Sequence, residues 1–230
     1  SNYGERVVEM IVPGLVEAGV VIVSGFMYGV DQAAHRTCLE CGGKTIAVLG
    51  WGIDKEVGGE DEKLFKKILD KGMIISEYWG RDGGEKWMFP QRNRIVVGLS
   101  DAVVVIEGAL KSGSLITAEW GRKFKKPTLA SPGQITSSVA SGSNLLIKSG
   151  RAKMLTGLED VLTALGIGGG DKKAKGAQGG VLQLLAIEPM TVDELSRKLN
   201  KKVEEVLNEL MSAQLMGEVE EKEGKFYRKN

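Results

Sequence analysis

The sequence predicts a doubly wound, mostly parallel α/β domain followed by a small winged helix-turn-helix, on three observations. Five short apolar runs alternate with segments long enough to form crossover helices. Several runs are apolar at every position, as strands are when helices cover both faces of a parallel sheet. From residue 166 the composition turns to glycine and lysine, and beyond it helical periodicity recurs until a closing hairpin.

The first strand is predicted at "VVIVS" (20–24), ahead of a helix over 31–41. The second, "TIAVLG" (45–50), leads to a helix over 61–71. "MIIS" (73–76) is the third, with a long loop before a helix over 93–99. The fourth, "AVVVIE" (102–107), precedes a helix over 114–124, and "PTLAS" (127–131) is the fifth. Such alternation implies right-handed parallel crossovers, with ligands at the carboxyl ends of the strands. The domain boundaries follow as 1–165, a flexible linker over 166–180, and 181–230. In the last part a helix opens at 181–187. Thr191 then caps "VDELSRKLN" with Glu194 at capping-box spacing, and "KVEEVLNELMSAQL" follows before a two-stranded wing turning near Gly224. In that third helix Val203, Val206, Leu207 and Leu210 are expected to form the buried face. Glu204, Glu205, Asn208, Glu209 and Ser212 lie elsewhere on it, a poor match to a duplex groove, so protein contact or control of the first domain is the favoured role.

Hydrophobic residues make up 42% and charged residues 27%, the balance of an ordinary soluble protein. No apolar run is long enough to span a bilayer and no leader precedes a cleavage site, so a cytoplasmic location without membrane contact is expected. A formal net charge of +1 supplies no long-range pull on a polyanion; cations for one must be clustered. The cysteines of "CLEC", Cys38 and Cys41, fall at the end of a predicted helix, the wrong end for a redox pair, and are expected to be small buried thiols. With His35 the single histidine, a zinc site lacks ligands. His35 lies four residues after Asp31 on one helix face, placed to fix the turn "GVDQAAH", with a general base as the alternative.

Nucleotide signatures fail on inspection. "GWGIDK" has lysine where a dinucleotide fingerprint needs its third glycine, and "GGKT" enters a strand where a phosphate loop leaves one. No nucleophile elbow occurs. Three other loops share a placement, each leaving a strand and entering a helix: "SGFMYGVD" (24–31), "ISEYWG…KWMFPQRNR" (75–94) and "EGALKSGSLITAE" (107–119). A small turn opening a helix presents free backbone N–H groups at the positive end of the helix dipole, which suits phosphate. Gly25, Gly29 and Gly113 permit close approach; Lys111 adds a cation and Ser112, Ser114 and Thr117 add hydroxyls, although Ser114 could simply cap its own helix.

These stretches, with "SPGQI…SGSNLLIKSGRAKML", resemble the DprA/Smf family of bacterial DNA-processing proteins through most of residues 3–165, and the tail resembles that family's winged helix. The resemblance implies a Rossmann-like domain, a homodimer, single-stranded DNA binding, and loading of RecA recombinase in natural transformation and recombination. It implies no catalysis, cofactor or metal. It implies a DNA pocket using Lys86 and Phe89, just ahead of "RNR" with Arg92 and Arg94. It also implies a strand ending Gly-Ser-Arg ahead of Tyr3-Gly4, which these residues do not contain. "GFMYG" and Trp51 are bulkier than is usual there. Chemically, Lys86 is a point charge, the arginines are planar forks for phosphate, with an internal salt bridge as the alternative for one of them, and Phe89 is a ring for base stacking, with core packing as its alternative. Trp87 suits stacking or packing. "SGSLITAE" distantly resembles a phosphoribohydrolase loop, so a nucleotide-hydrolysing enzyme is the alternative function, although Trp120 stands where that loop has a glutamate. A pure interaction scaffold is a third reading.

Overall fold

The computed structural model describes residues 1–167, 181–222 and 224–228. It contains two compact units, Ser1–Gly169 and Gly170–Asn230. Of the predicted linker only Gly166 and Ile167 are among the described residues.

The first unit opens with a helix that the strand pattern does not include, α1 (Asn2–Glu17), whose Ser1 hydroxyl accepts the Gly4 N–H at 3.3 Å. Its buried side chains Val7, Val8, Ile11, Val12 and Leu15 recur at helical spacing, so packing holds it despite Pro13 in its interior. The predicted alternation then appears with trimmed strands. β1 (Ile22–Ser24), α2 (Val30–Glu40), β2 (Thr45–Leu49), α3 (Glu60–Lys71) and β3 (Met73–Ser76) form the first half. α4 (Met88–Gly98), β4 (Val103–Val105), α5 (Gly113–Lys123) and β5 (Thr128–Ala130) continue it. A 3₁₀ turn (Ser138–Ala140), α6 (Ser141–Lys148), β6 (Lys153–Met154) and α7 (Leu158–Ala164) close the unit. α4 begins five residues earlier than expected, because Pro90 sits in its first turn, where a missing N–H costs little.

All strand pairs here are parallel, and the fold is Rossmann-like. The strands form two three-stranded sheets, ordered β1-β2-β3 and β4-β5-β6. β1 and β4 each have one strand partner, and both line a cavity of about 630 Å³ with α1 side chains Val8, Ile11, Val12 and Leu15. Val21, expected inside β1, is 42% exposed. The core lies in three clusters, between α1, α2 and α7, around β4 and β5, and between β2 and α3.

His35 is fully buried, and its Nδ1 shares a 2.6 Å hydrogen bond with the Thr45 hydroxyl, which donates to the Ile22 carbonyl. It therefore ties α2 to the sheet and does not fix the turn. Asp31 holds the turn, accepting from the Ser24 hydroxyl at 2.7 Å and the Met27 N–H at 3.1 Å. Burial pulls the His35 pKa from 6.5 down to about 4. The cysteine expectation holds for half the pair: Cys38 is fully buried, its pKa pushed up to about 11 by burial, while Cys41 is exposed. Cys41 falls in the turn that follows α2, where nothing covers it.

The second unit holds α8 (Val181–Leu185), α9 (Val192–Leu199), α10 (Val203–Leu215), β7 (Val219–Lys222) and β8 (Lys225–Arg228). The capping box is present: the Thr191 hydroxyl accepts the Glu194 N–H at 3.3 Å, and the Glu194 carboxylate accepts the Thr191 N–H at 2.8 Å. Gly224 takes the left-handed conformation that the β7–β8 turn requires. The core uses Leu195, Val206, Leu210, Ala213 and Phe226. Val203, the first residue of α10, departs from the expected face and is 41% exposed.

Candidate nucleic-acid interface

Arg92 joins two of the predicted loops. Its Nη1 donates to the Gly25 carbonyl at 2.6 Å and to the Val48 carbonyl, and its Nε donates to the Asn93 side chain at 3.1 Å. A Cβ at position 25 would lie 2.5 Å from the guanidinium, so glycine is required there by close approach. Asn93 Nδ2 then donates to the Gly113 carbonyl at 3.3 Å. Through Arg92 and Asn93, the turn after β1 and the start of α5 are held against the start of α4 at one rim of the unit. Gly29, at φ 95°, is the N-cap of α2 on the same turn as Gly25.

The arginine expectation is corrected here. Arg92 is only 2% exposed, because both carbonyls and the Asp31 carboxylate gather it inward; burial lowers its pKa and Asp31 opposes that shift. As folded, it positions the loops and does not reach a phosphate. Arg94 is partly exposed and pairs with Glu77. The exposed cations of these loops are Arg81, which pairs with Glu56 at 3.6 Å, Lys86, before α4, and Lys111, before α5; neither lysine makes an ion pair among the described residues.

Ser112 is the N-cap of α5 and shares a hydrogen bond with the Ser114 hydroxyl. Ser114 does not cap the helix: its hydroxyl donates to the Glu107 carbonyl at 3.1 Å, closing the loop on the segment that leaves β4. Thr117 donates back to the Gly113 carbonyl at 3.2 Å. Glu107 itself accepts from the Ser1 hydroxyl at 2.6 Å, bringing the start of α1 to this rim.

Phe89 is half-buried, with its ring 6.2 Å from Trp51 and against Gly50. Trp51 faces Phe26 at 6.4 Å, and Phe26 meets Phe65 at 5.5 Å. Phe26 is 3% exposed although its φ is 59°, so aromatic packing holds a bulky residue in a backbone region it seldom adopts. The Trp87 ring meets Tyr78 edge-on at 6.1 Å and is 55% exposed, so it is only partly packed. The sequence reading missed Asn93, whose bridging role leaves no local signal beyond its place between two arginines. It also missed Gln32, buried to 6% exposure at the start of α2.

Among the described residues no cluster of histidine, cysteine or carboxylates could hold a metal ion, and no helix is long and apolar enough to cross a membrane.

Two family models match the chain: DNA recombination-mediator protein A over residues 1–166, and the DprA winged helix domain over residues 172–225. DNA processing protein DprA of Streptococcus pneumoniae is 41% identical over 162 residues, which are 70% of this chain and 57% of that protein. Protein Smf of Synechocystis is 39% identical over 166 residues, 72% of this chain and 42% of that protein. The chain thus spans about half the length of these curated relatives. The X-ray structure of the Streptococcus pneumoniae protein superposes with a TM-score of 0.65 at 39% identity, covering 71% of this chain and 57% of that one. A structure of DNA processing protein A from Helicobacter pylori, described for its single-stranded DNA binding mode, superposes with a TM-score of 0.65 at 30% identity over 72% of this chain and 74% of that one.

Proposed function

The chain belongs to the DNA recombination-mediator protein A family, and from that premise we propose that its α/β unit binds single-stranded DNA at the rim built by Gly25, Gly29, Phe89 and Gly113. Lys86 and Lys111 neutralise phosphates there, with Arg94 able to join them by leaving Glu77. Phe89 carries a base, and Ser112, Ser114, Thr117 and the free N–H groups of the first turn of α5 complete the phosphate cradle. Arg92 keeps the loops in register. The observation that carries this reading is the Gly25–Arg92–Asn93–Gly113 bridge, which brings sequence-distant loops to one place and leaves two unpaired lysines beside it.

The resulting complex presents DNA to RecA recombinase in recombination and natural transformation, in the cytoplasm, with a homodimer as the working form and no catalytic turnover. The deciding experiment is anisotropy of a labelled oligothymidine against the 230-residue chain as salt is raised. Lys86→Ala and Lys111→Ala should each flatten the slope of log K against log salt by about 0.7, as expected when a single strand has one fewer neutralised phosphate. Phe89→Ala should weaken binding by about 1–3 kcal/mol with the slope kept. Wild-type slopes in both lysine variants would refute the cradle. RecA loading is tested by strand exchange on DNA coated with single-strand-binding protein, where the chain should shorten the lag.

A further inference from the structure

Beside Phe89 lies a cavity of about 320 Å³ lined by Phe26, Tyr28, Gln32, Trp51, Asp61 and Phe89, among others. Its polar floor lacks internal partners. Gln32 is 6% exposed and its carboxamide makes no hydrogen bond among the described residues, although its polar atoms keep some contact with solvent. The indole Nε1 of Trp51 is buried and has no acceptor among the described residues. A lone buried donor is costly unless something completes it. A carboxamide presents one acceptor and two donors in a plane, which matches the edge of a nucleobase.

The walls narrow the choice. Tyr28 is 93% exposed at the mouth, a ring with a free face. Lys55 lies 5.5 Å over the Trp51 ring and donates to the Gly83 carbonyl at 2.7 Å, so its charge is already engaged. Asp61 lines the same space, as does Glu56, which pairs with Arg81 at 3.6 Å. The Asp61 carboxylate repels a phosphate and accepts a hydrogen bond from an amino group. An exocyclic amine gives that carboxylate a donor, whereas thymine, whose exocyclic polar groups are both carbonyls, turns partial negative charge toward it.

We propose that this cavity is a second base subsite next to Phe89, which takes one extruded nucleobase, reads its edge through Gln32, and favours adenine over thymine. The proposal rests on the reading that the rim binds single-stranded DNA, and deepens it: a strand whose phosphates follow Lys86 turns one base inward past Phe89. Sequence tolerance at the rim then coexists with a preference at one position.

The test compares oligodeoxyadenosine and oligothymidine of equal length on the full chain. Gln32→Met keeps side-chain volume and removes the edge reader. It should lower oligodeoxyadenosine affinity about tenfold, a loss of about 1.4 kcal/mol, and leave oligothymidine within about threefold. Tyr28→Ala, at an exposed position that folding does not need, should weaken oligodeoxyadenosine by a similar factor through reduced stacking. Tryptophan fluorescence should be quenched by oligodeoxyadenosine in the wild type and lose that component in Trp51→Phe. Equal affinities of Gln32→Met and wild type for both oligomers, with quenching unchanged in Trp51→Phe, overturn the subsite while DNA binding stands. Absence of binding by the wild type to either oligomer overturns the reading beneath it as well.

Discussion

Replacing Arg92 by Met separates a positioning arginine from a phosphate-binding one. The guanidinium is 2% exposed and donates to two main-chain carbonyls, Gly25 and Val48, as well as to Asn93. Hydrogen bonds from a charged donor contribute about 1.5–3 kcal/mol each, and removing the donor leaves both carbonyls without it. Methionine retains part of the apolar packing, so the expected net loss is about 3–4 kcal/mol. In a chain of this size that lowers the melting temperature by roughly 10 °C. DNA affinity should fall too, since the loops at Gly25 and Gly113 lose their common anchor. The slope of log K against log salt should stay at its wild-type value, because every phosphate keeps its cation. Calorimetry and salt titration on one preparation decide the matter. An unchanged melting temperature with a slope flattened by about 0.7 would show Arg92 on a phosphate and defeat the positioning argument.

Other outcomes follow from the same structure. His35 is buried neutral with its pKa lowered from 6.5 to about 4, so the unfolded chain binds a proton across that window and the folded chain does not. Stability is therefore complete above pH 6.5 and falls as pH drops toward 4, by about 3 kcal/mol in all; urea unfolding at several pH values should show this, and His35→Gln should flatten it. Native protein should expose one fast thiol to a disulfide reagent, Cys41, and a second only on denaturation, since Cys38 is buried with its pKa pushed to about 11. Two fast thiols would contradict the packing of α2. Thr191→Ala should cost the winged helix about 1 kcal/mol through its cap, seen as faster amide exchange confined to that unit; unaltered exchange in α9 would count against the capping box.

The order of strands and helices from β1 to β5, the cap at Thr191, the turn at Gly224 and the three loops at strand ends were legible in the sequence, because each depends on residues close together in the chain, whereas α6, the short β6 and α7 were not expected. α1 was not legible, since Pro13 in its interior argues locally against a helix, and packing of its apolar face against α2 and α7 holds it as one. The separation of the strands into two sheets was not legible either: pairing is a property of neighbours in space, and β1 and β4 look from their residues like any interior strand. At the rim the sequence supplied a set of cations and rings without ranking them. Tertiary structure withdrew Arg92, left Lys86 and Lys111 in solvent, set Asn93 as the bridge, and placed Gln32 under an aromatic cavity. Whether a charged side chain meets water or a carbonyl depends on what the rest of the chain brings to the other side of it, and that is nonlocal.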